Sequence, residues 1–273
     1  MGAGGAAQPV RVVERTLCRL GGSARGMRAI PEETAIAFSY NRATHAVMMA
    51  TPVDLEDFAV GFSLTERIID TPADITALDI VTVEQGIELR MTVSEQCAAA
   101  LDDRRRHVAG PSGCGLCGLE SLEQAMRAPP LVQGTLTVSA PQIAQAMASM
   151  PAMQAINQRT HAVHAAAFHD PEAGLLALRE DVGRHNALDK LAGALARSGT
   201  AAARGLVLLT SRVSIEMVQK AALMGATVVV AVSAPTALAV RTAEAAGITL
   251  IAVARADSFE IFTHPGRVIV QES

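Results

Sequence analysis

The sequence predicts an α/β protein: a smaller β-rich part, then a larger part built on a mixed or parallel sheet. Three observations carry this. From residue 175 onward, strand-length apolar runs alternate with helix-length segments, the rhythm of βαβ units. Before residue 100, short runs alternate apolar and polar residues at period two between polar turns. Between the two, residues 102–118 carry charges, then glycines, and follow neither pattern. The 273 residues thus divide into two expected domains. Residues 1–135 form the β-rich one, ending in the 102–118 loop and a following helix, and residues 136–273 form the α/β one.

The elements follow in order. Thr34–Tyr40 alternates as a strand, and Ala46–Ala50 returns after a polar turn as in a hairpin. Leu55–Ile69 repeats apolar residues at helical spacing, with Thr51 or Asp54 placed to cap it. Ile80–Val83 and Ile87–Val93 read as a strand pair about Gln85-Gly86, and a helix is expected to start near Leu119. Then come strand Leu175–Leu178, helix Asn186–Arg197, strand Leu206–Thr210, helix Ser214–Met224, strand Thr227–Ser233, helix Thr236–Ala246 and strand Ile248–Val253. Ligands of such sheets bind at the carboxyl ends of the strands. Polar residues collect there, in Thr210-Ser211-Arg212, Ser233–Thr236 and Arg255–Ser258.

Composition narrows the function. Half the residues are hydrophobic and 18% charged, which suits a globular chain. With no tryptophan and one tyrosine, the expected core is aliphatic and rich in Met and Ala. The net charge is −4, and the densest basic cluster, Arg104-Arg105-Arg106-His107, is short and has no aromatic neighbours. Nucleic acid is therefore not an expected partner. The strongest apolar runs are strand-length, short of the ~20 residues of a membrane helix. The small residues Met1–Ala7 show no charged-then-apolar leader, so a cytoplasmic location is expected, without a membrane partner.

Of four cysteines, Cys18, Cys97, Cys114 and Cys117, the last two form a Cys-x-x-Cys within a glycine-rich stretch. In a reducing compartment that spacing points to redox, metal or sulfur chemistry. Glycines at 110, 113, 115 and 118 let the backbone bend, and successive N–H groups in such a turn stabilise a thiolate. Three chemistries stay open on spacing alone: zinc held with Cys97 or His107, a thioredoxin-like dithiol, and a sulfur carrier. Cys18 and Cys97 have the plain reading of inert thiols.

A second constellation is Glu180–Lys190, which leaves a strand and enters a helix with seven side chains able to hydrogen-bond. Arg184 and His185 beside a helix N-terminus suit an anion pocket. A buried polar network joining two layers is the alternative. His161 and His164 have a spacing that suits a metal, but no third ligand lies nearby.

Several motifs in one order resemble the formate dehydrogenase accessory sulfurtransferases, the FdhD family. They are Thr51–Asp57 with Gly61-Phe62, Cys114-x-x-Cys117-Gly118, Glu180–Lys190, Thr210–Arg212 through Glu216–Lys220, Ala231–Thr236 and Thr263-His264-Pro265. The resemblance runs from about residue 10 to the C-terminus. It implies a protein that takes sulfur from a cysteine desulfurase and passes it to the bis-molybdopterin guanine dinucleotide cofactor, with molybdenum or tungsten, of formate dehydrogenase. It implies that Cys114 carries the persulfide and Cys117 is the second loop cysteine. It places the guanine dinucleotide segment on Val253, Ala254, Arg255, Ala256, Asp257 and Ser258, with Arg184 and His185 as further candidates. It also implies a C-terminal three-layer sheet like that of cytidine deaminase, a homodimer, and no metal of the protein's own. A cofactor chaperone without sulfur chemistry and a zinc-stabilised dithiol module are the alternatives. One departure concerns His161-Ala162, which stand where many relatives carry Gly-Gly.

Overall fold

A computed structural model describes residues 8–108 and 126–269. In chain order the elements are β1 (Val10–Arg19), β2 (Gly22–Pro31), β3 (Thr34–Tyr40), β4 (Ala43–Ala50), α1 (Leu55–Thr65), β5 (Ile75–Val83), β6 (Gly86–Val93) and α2 (Glu95–Val108). Beyond residue 125 come β7 (Val138–Ser139), α3 (Ala140–Met153), α4 (Ala155–Thr160), β8 (His164–Asp170), β9 (Gly174–Asp181) and α5 (Arg184–Ser198). The last elements are β10 (Leu206–Leu209), α6 (Ile215–Leu223), β11 (Val228–Ala231), α7 (Ala237–Ala246), β12 (Thr249–Ala252), β13 (Glu260–Ile261) and β14 (Val268–Ile269).

The fold is mixed α/β, as predicted. In the first half a four-stranded sheet, ordered β4-β3-β6-β5, packs one face on α1. Its core is mostly aliphatic, as expected, with an aromatic centre. Phe38 stacks on Phe62 at 4.1 Å and meets Phe58 edge-on at 4.9 Å, so half of the chain's six phenylalanines meet at one contact. Aromatic pairs in such geometry add about 0.5–1.5 kcal/mol beyond their buried area.

The second half holds a six-stranded sheet ordered β13-β12-β11-β10-β8-β9. Strands β10, β11 and β12 are parallel, and β8 runs antiparallel to both β10 and β9. Helices α5, α6 and α7 cover one face through Leu188, Leu191, Met217, Ala221, Ala239 and Ala243. Helix α3 covers the other through Ile143, Ala146 and Met150. Strands β9 to β12 all end at one edge, and α5, α6 and α7 all begin there. Every loop that leaves this edge is therefore next to a helix N-terminus.

Three boundaries differ from expectation. The first helix stops at Thr65, because Arg67 takes a left-handed φ of 56°. Asp54 is its N-cap but sits at φ 53° and makes no side-chain cap bond. The charged residues expected to open a loop at 102 instead continue α2 to Val108. The rest of that loop, and the helix expected near Leu119, lie outside the described residues.

The halves meet where α1 crosses α5. A Cβ on Gly61 would sit 1.7 Å from the Asp189 carbonyl oxygen, and one on Gly193 1.9 Å from that of Asp57. Only glycine permits this backbone contact at both positions.

Candidate functional site

The Glu180–Lys190 segment faces two ways. Its buried side chains join the halves. Lys190 and Asp181 are both 0% exposed and pair at 2.7 Å. Lys190 Nζ also donates to the Thr51 carbonyl at 2.8 Å, and Asp181 Oδ2 accepts the Thr51 N–H at 3.0 Å. Asp181 Oδ1 takes the Gly183 N–H and Asn186 Nδ2, which also donates to the Met49 carbonyl. One turn along α5, Asp189 pairs with Lys220 of α6 at 2.9 Å and accepts from Thr65 Oγ1 of α1 at 2.6 Å. Lys220 reaches Glu66 as well, at 2.9 Å. Further out, Asp57 of α1 takes both Arg179 and Arg197.

Burial depresses the Lys220 ammonium, but Asp189 and Glu66 together outweigh it and hold its pKa above the ordinary lysine value. Burial likewise pushes the Asp189 carboxyl up against the pull of Lys220 and Thr65. The alternative of a buried network thus accounts for Asp181, Asn186, Asp189 and Lys190. It also absorbs the Thr51–Asp57 motif and Lys220 of the Glu216–Lys220 motif, so that three stretches distant in sequence form one seam.

Arg184 and His185 face the other way, at the strand-end edge. They open α5, whose N-cap Gly183 supplies no side-chain cap. Arg184 Nε is buried without a hydrogen-bond partner. His185 Nε2 lies 3.2 Å from Glu216 Oε2, which is its partner at this edge. His164 stands opposite Asp181 in register and is half-buried. For both histidines burial, and then the Arg184 charge, lower the pKa, so each is neutral at pH 7.

The loop after β12 carries strain. Val253 has φ 53°, a genuine outlier for a β-branched residue. Such strain costs about 1–3 kcal/mol and clusters at functional sites. Arg255 Nη1 bonds the carbonyls of Val232 at 2.6 Å and Ala254 at 2.8 Å, tying this loop to the end of β11. The Arg255 N–H closes the turn on the Ser258 carbonyl at 2.7 Å. Arg255, Ala256, Asp257 and Ser258 are exposed, while Ala254 is buried.

The other predicted strand-end residues divide. Thr210 bonds the Ala165 backbone, and Thr236 caps α7 through the Ala239 N–H. Both are structural. Arg212 and Ala234 are exposed at the same edge, and Ser233 is half-buried there. The edge as a whole has one unpartnered buried guanidinium nitrogen, a strained loop and three helix N-termini. That combination suits an anionic ligand.

Cys114 and Cys117 lie outside the described residues. Cys97 is buried in the first-half core and Cys18 is exposed, both as free thiols. Among the described residues no group of three or more His, Cys, Asp or Glu is placed to hold a metal. His161 ends α4 at φ 54°, and His164 belongs to β8. This left-handed backbone at His161 is a conformation that favours glycine. Two residues at the edge carried no expected site role: Glu216, which entered only as part of a motif, and His164, weighed only with His161 as a metal pair lacking a third ligand. No helix among the described residues is long and apolar enough to cross a membrane.

Comparison with known proteins fits this architecture. The model of the FdhD/NarQ family matches residues 31–269. The sulfur carrier protein FdhD of Agrobacterium fabrum is 54% identical over 261 residues, covering 95% of this chain and 96% of that one. Its counterpart in Brucella abortus is 55% identical over 260 residues, with 95% and 97% covered. A crystal structure of a candidate formate dehydrogenase accessory protein from Desulfotalea psychrophila shares the fold, with a TM-score of 0.76 at 24% identity, over 96% of this chain and all of that one. The chain belongs to the FdhD/NarQ family.

Proposed function

We propose that this protein is a sulfur carrier for formate dehydrogenase maturation, acting as a sulfurtransferase through Cys114. Near-complete alignment at 54% and 55% identity with relatives named sulfur carriers supports this most directly. The donor is a cysteine desulfurase carrying a persulfide. The Cys114 thiolate attacks the outer sulfur, a new S–S bond forms, and the donor cysteine leaves as a thiolate. Cys117 is the second thiol of the same loop.

The substrate that receives the sulfur is the bis-molybdopterin guanine dinucleotide cofactor, with molybdenum or tungsten, before it enters formate dehydrogenase. The strand-end edge fits its anionic phosphates. Arg184 Nε is a buried cationic donor without a partner, and His185 Nε2 lies beside it. Residues 253–258 offer an exposed turn in which the Asp257 carboxylate matches the paired N–H donors of guanine. With Arg255 Nη1 spent on two carbonyls, that guanidinium shapes the loop as well as supplying charge.

Incubation with desulfurase and cysteine, followed by mass spectrometry, tests the carrier step. The expected result is a gain of about 32 Da, one sulfur atom, on the peptide holding Cys114. No such gain, together with full formate dehydrogenase maturation by Cys114→Ala, overturns it.

A further inference from the structure

At the strand-end edge, side chains from two helices meet on a single oxygen. Glu216 Oε2, in the first turn of α6, lies 3.2 Å from Nε2 of His185, the second residue of α5. The same oxygen accepts from Ser214 Oγ at 2.9 Å. Ser214 is the N-cap of α6, a position where serine normally accepts a backbone N–H. Here it makes no side-chain cap bond, and its hydroxyl goes to the carboxylate instead. The helix forgoes a cap, and Glu216 is held in place.

This contact fixes where the imidazole carries its proton. A carboxylate only accepts, so the ring nitrogen that faces Glu216 is the N–H. Neutral His185 is therefore in its Nε2–H form, and Nδ1 holds a bare lone pair. Among the described residues nothing bonds Nδ1. The ring thus has one nitrogen tied to the protein and one left for a ligand.

The charges around the ring decide whether Nδ1 gains a proton. Burial and then Arg184 oppose the imidazolium, Glu216 favours it, and Lys220 of α6 opposes it again. Lys220 is already engaged by Asp189 and Glu66. From the sheet, β8 and β9 bring His164 and Asp181, opposite each other in register, and Asp181 is paired with Lys190. Arg184 differs from these, because its Nε is buried without a partner. A phosphate bound to Arg184 cancels the charge that opposes the imidazolium and adds negative charge of its own. Both changes favour a proton on His185.

We propose that Glu216 is a positioning residue: with Ser214 it fixes the His185 ring so that Nδ1 takes up one proton when a phosphate-bearing ligand binds at the edge. The proton comes from solvent. Nδ1–H then donates to a phosphate oxygen while Nε2–H stays on Glu216, and no other bond forms or breaks. The inference rests on the reading of this edge as the cofactor site, so GDP is the probe. Calorimetric titration of the full chain with GDP at pH 7, in buffers of different ionisation enthalpy, reads the protons taken up per ligand. The wild type is expected to take up more than half a proton, His185→Gln almost none, and Glu216→Gln less than half the wild-type value. Nitrogen NMR of the wild-type ring gives a second measure that needs no variant. It is expected to show a proton on Nε2 alone in the free protein and on both nitrogens with GDP. GDP binding without proton uptake overturns the inference and leaves the edge as the cofactor site. Uptake that survives His185→Gln overturns it as well and assigns the proton to His164. Full uptake in Glu216→Gln, or a free ring with its proton on Nδ1, overturns the role of Glu216. A wild type that does not bind GDP at all overturns the cofactor reading and the inference together.

Discussion

The seam between the halves and the edge at the strand ends are both polar and both built from the segment 180–190, yet they serve opposite ends. In the seam, Asp181, Lys190, Asp189 and Lys220 each have two or more partners at 2.6–3.2 Å. At the edge, two residues away from Asn186, Arg184 Nε is buried with none, and His185 Nε2 has only Glu216. Burying a polar atom without a partner costs about 1–3 kcal/mol, a cost that a bound anion at this edge would offset. A polar cluster that is fully satisfied holds structure; one with atoms to spare, beside a strained Val253, holds a ligand.

The contrast can be broken from the seam side first. Lys190→Ala leaves Asp181 at zero exposure without its counter-charge, and urea denaturation is expected to show a loss of about 3–5 kcal/mol. Gly193→Ala drives a methyl into the Asp57 carbonyl, with an expected loss of about 3 kcal/mol in the same measurement. An unchanged midpoint in either variant would mean that the seam is not what joins the halves.

Edge substitutions should act in the other direction. Val253→Gly relieves the left-handed strain and is expected to raise stability by about 0.5–1 kcal/mol while weakening nucleotide binding. A loss of stability instead would show that Val253 is held by packing rather than strained for binding. The smallest effect is with pH. His164 and His185 titrate below the ordinary value of 6.5 because of burial and Arg184. Their neutral forms favour the fold above that value, and this contribution is lost as pH falls through their lowered pKa values. Protonation there adds positive charge at the edge, so binding of GDP should tighten a few-fold as pH falls through the same window, even as the fold weakens. Calorimetric titration at several pH values checks this, and a flat profile would remove both histidines from the site.

Much of this was legible in the sequence. The four strands and three helices from Leu175 to Val253 fall within a few residues of expectation, because short apolar runs and amphipathic helices alternate cleanly there. Strand β8 was not legible. Its His-Ala-Ala-Ala-Phe-His-Asp is buried on both faces, so it shows no alternation, and alanine has little strand preference. Helix α3 carries Pro151 inside its last turn, which masks its periodicity. The β1–β2 ribbon was missed because adjacent Val12 and Val13 break period two and its arginines resemble a solvated turn. For the site, the sequence marked Glu180–Lys190 as rich in polar groups but could not separate seam from edge. That division depends on α1, which lies more than a hundred residues away in the chain and supplies the partners that Asp189 finds and Arg184 does not.

Titration calorimetry with GDP on the double variant Arg184→Ala/His185→Ala, with its thermal midpoint recorded alongside, tests the division most directly. A charge-assisted contact to phosphate is worth about 1.5–3 kcal/mol, so the dissociation constant should rise at least tenfold while the midpoint stays within a few degrees of wild type. Unchanged affinity, or a midpoint that collapses as for Lys190→Ala, would contradict it and return these residues to the structural network.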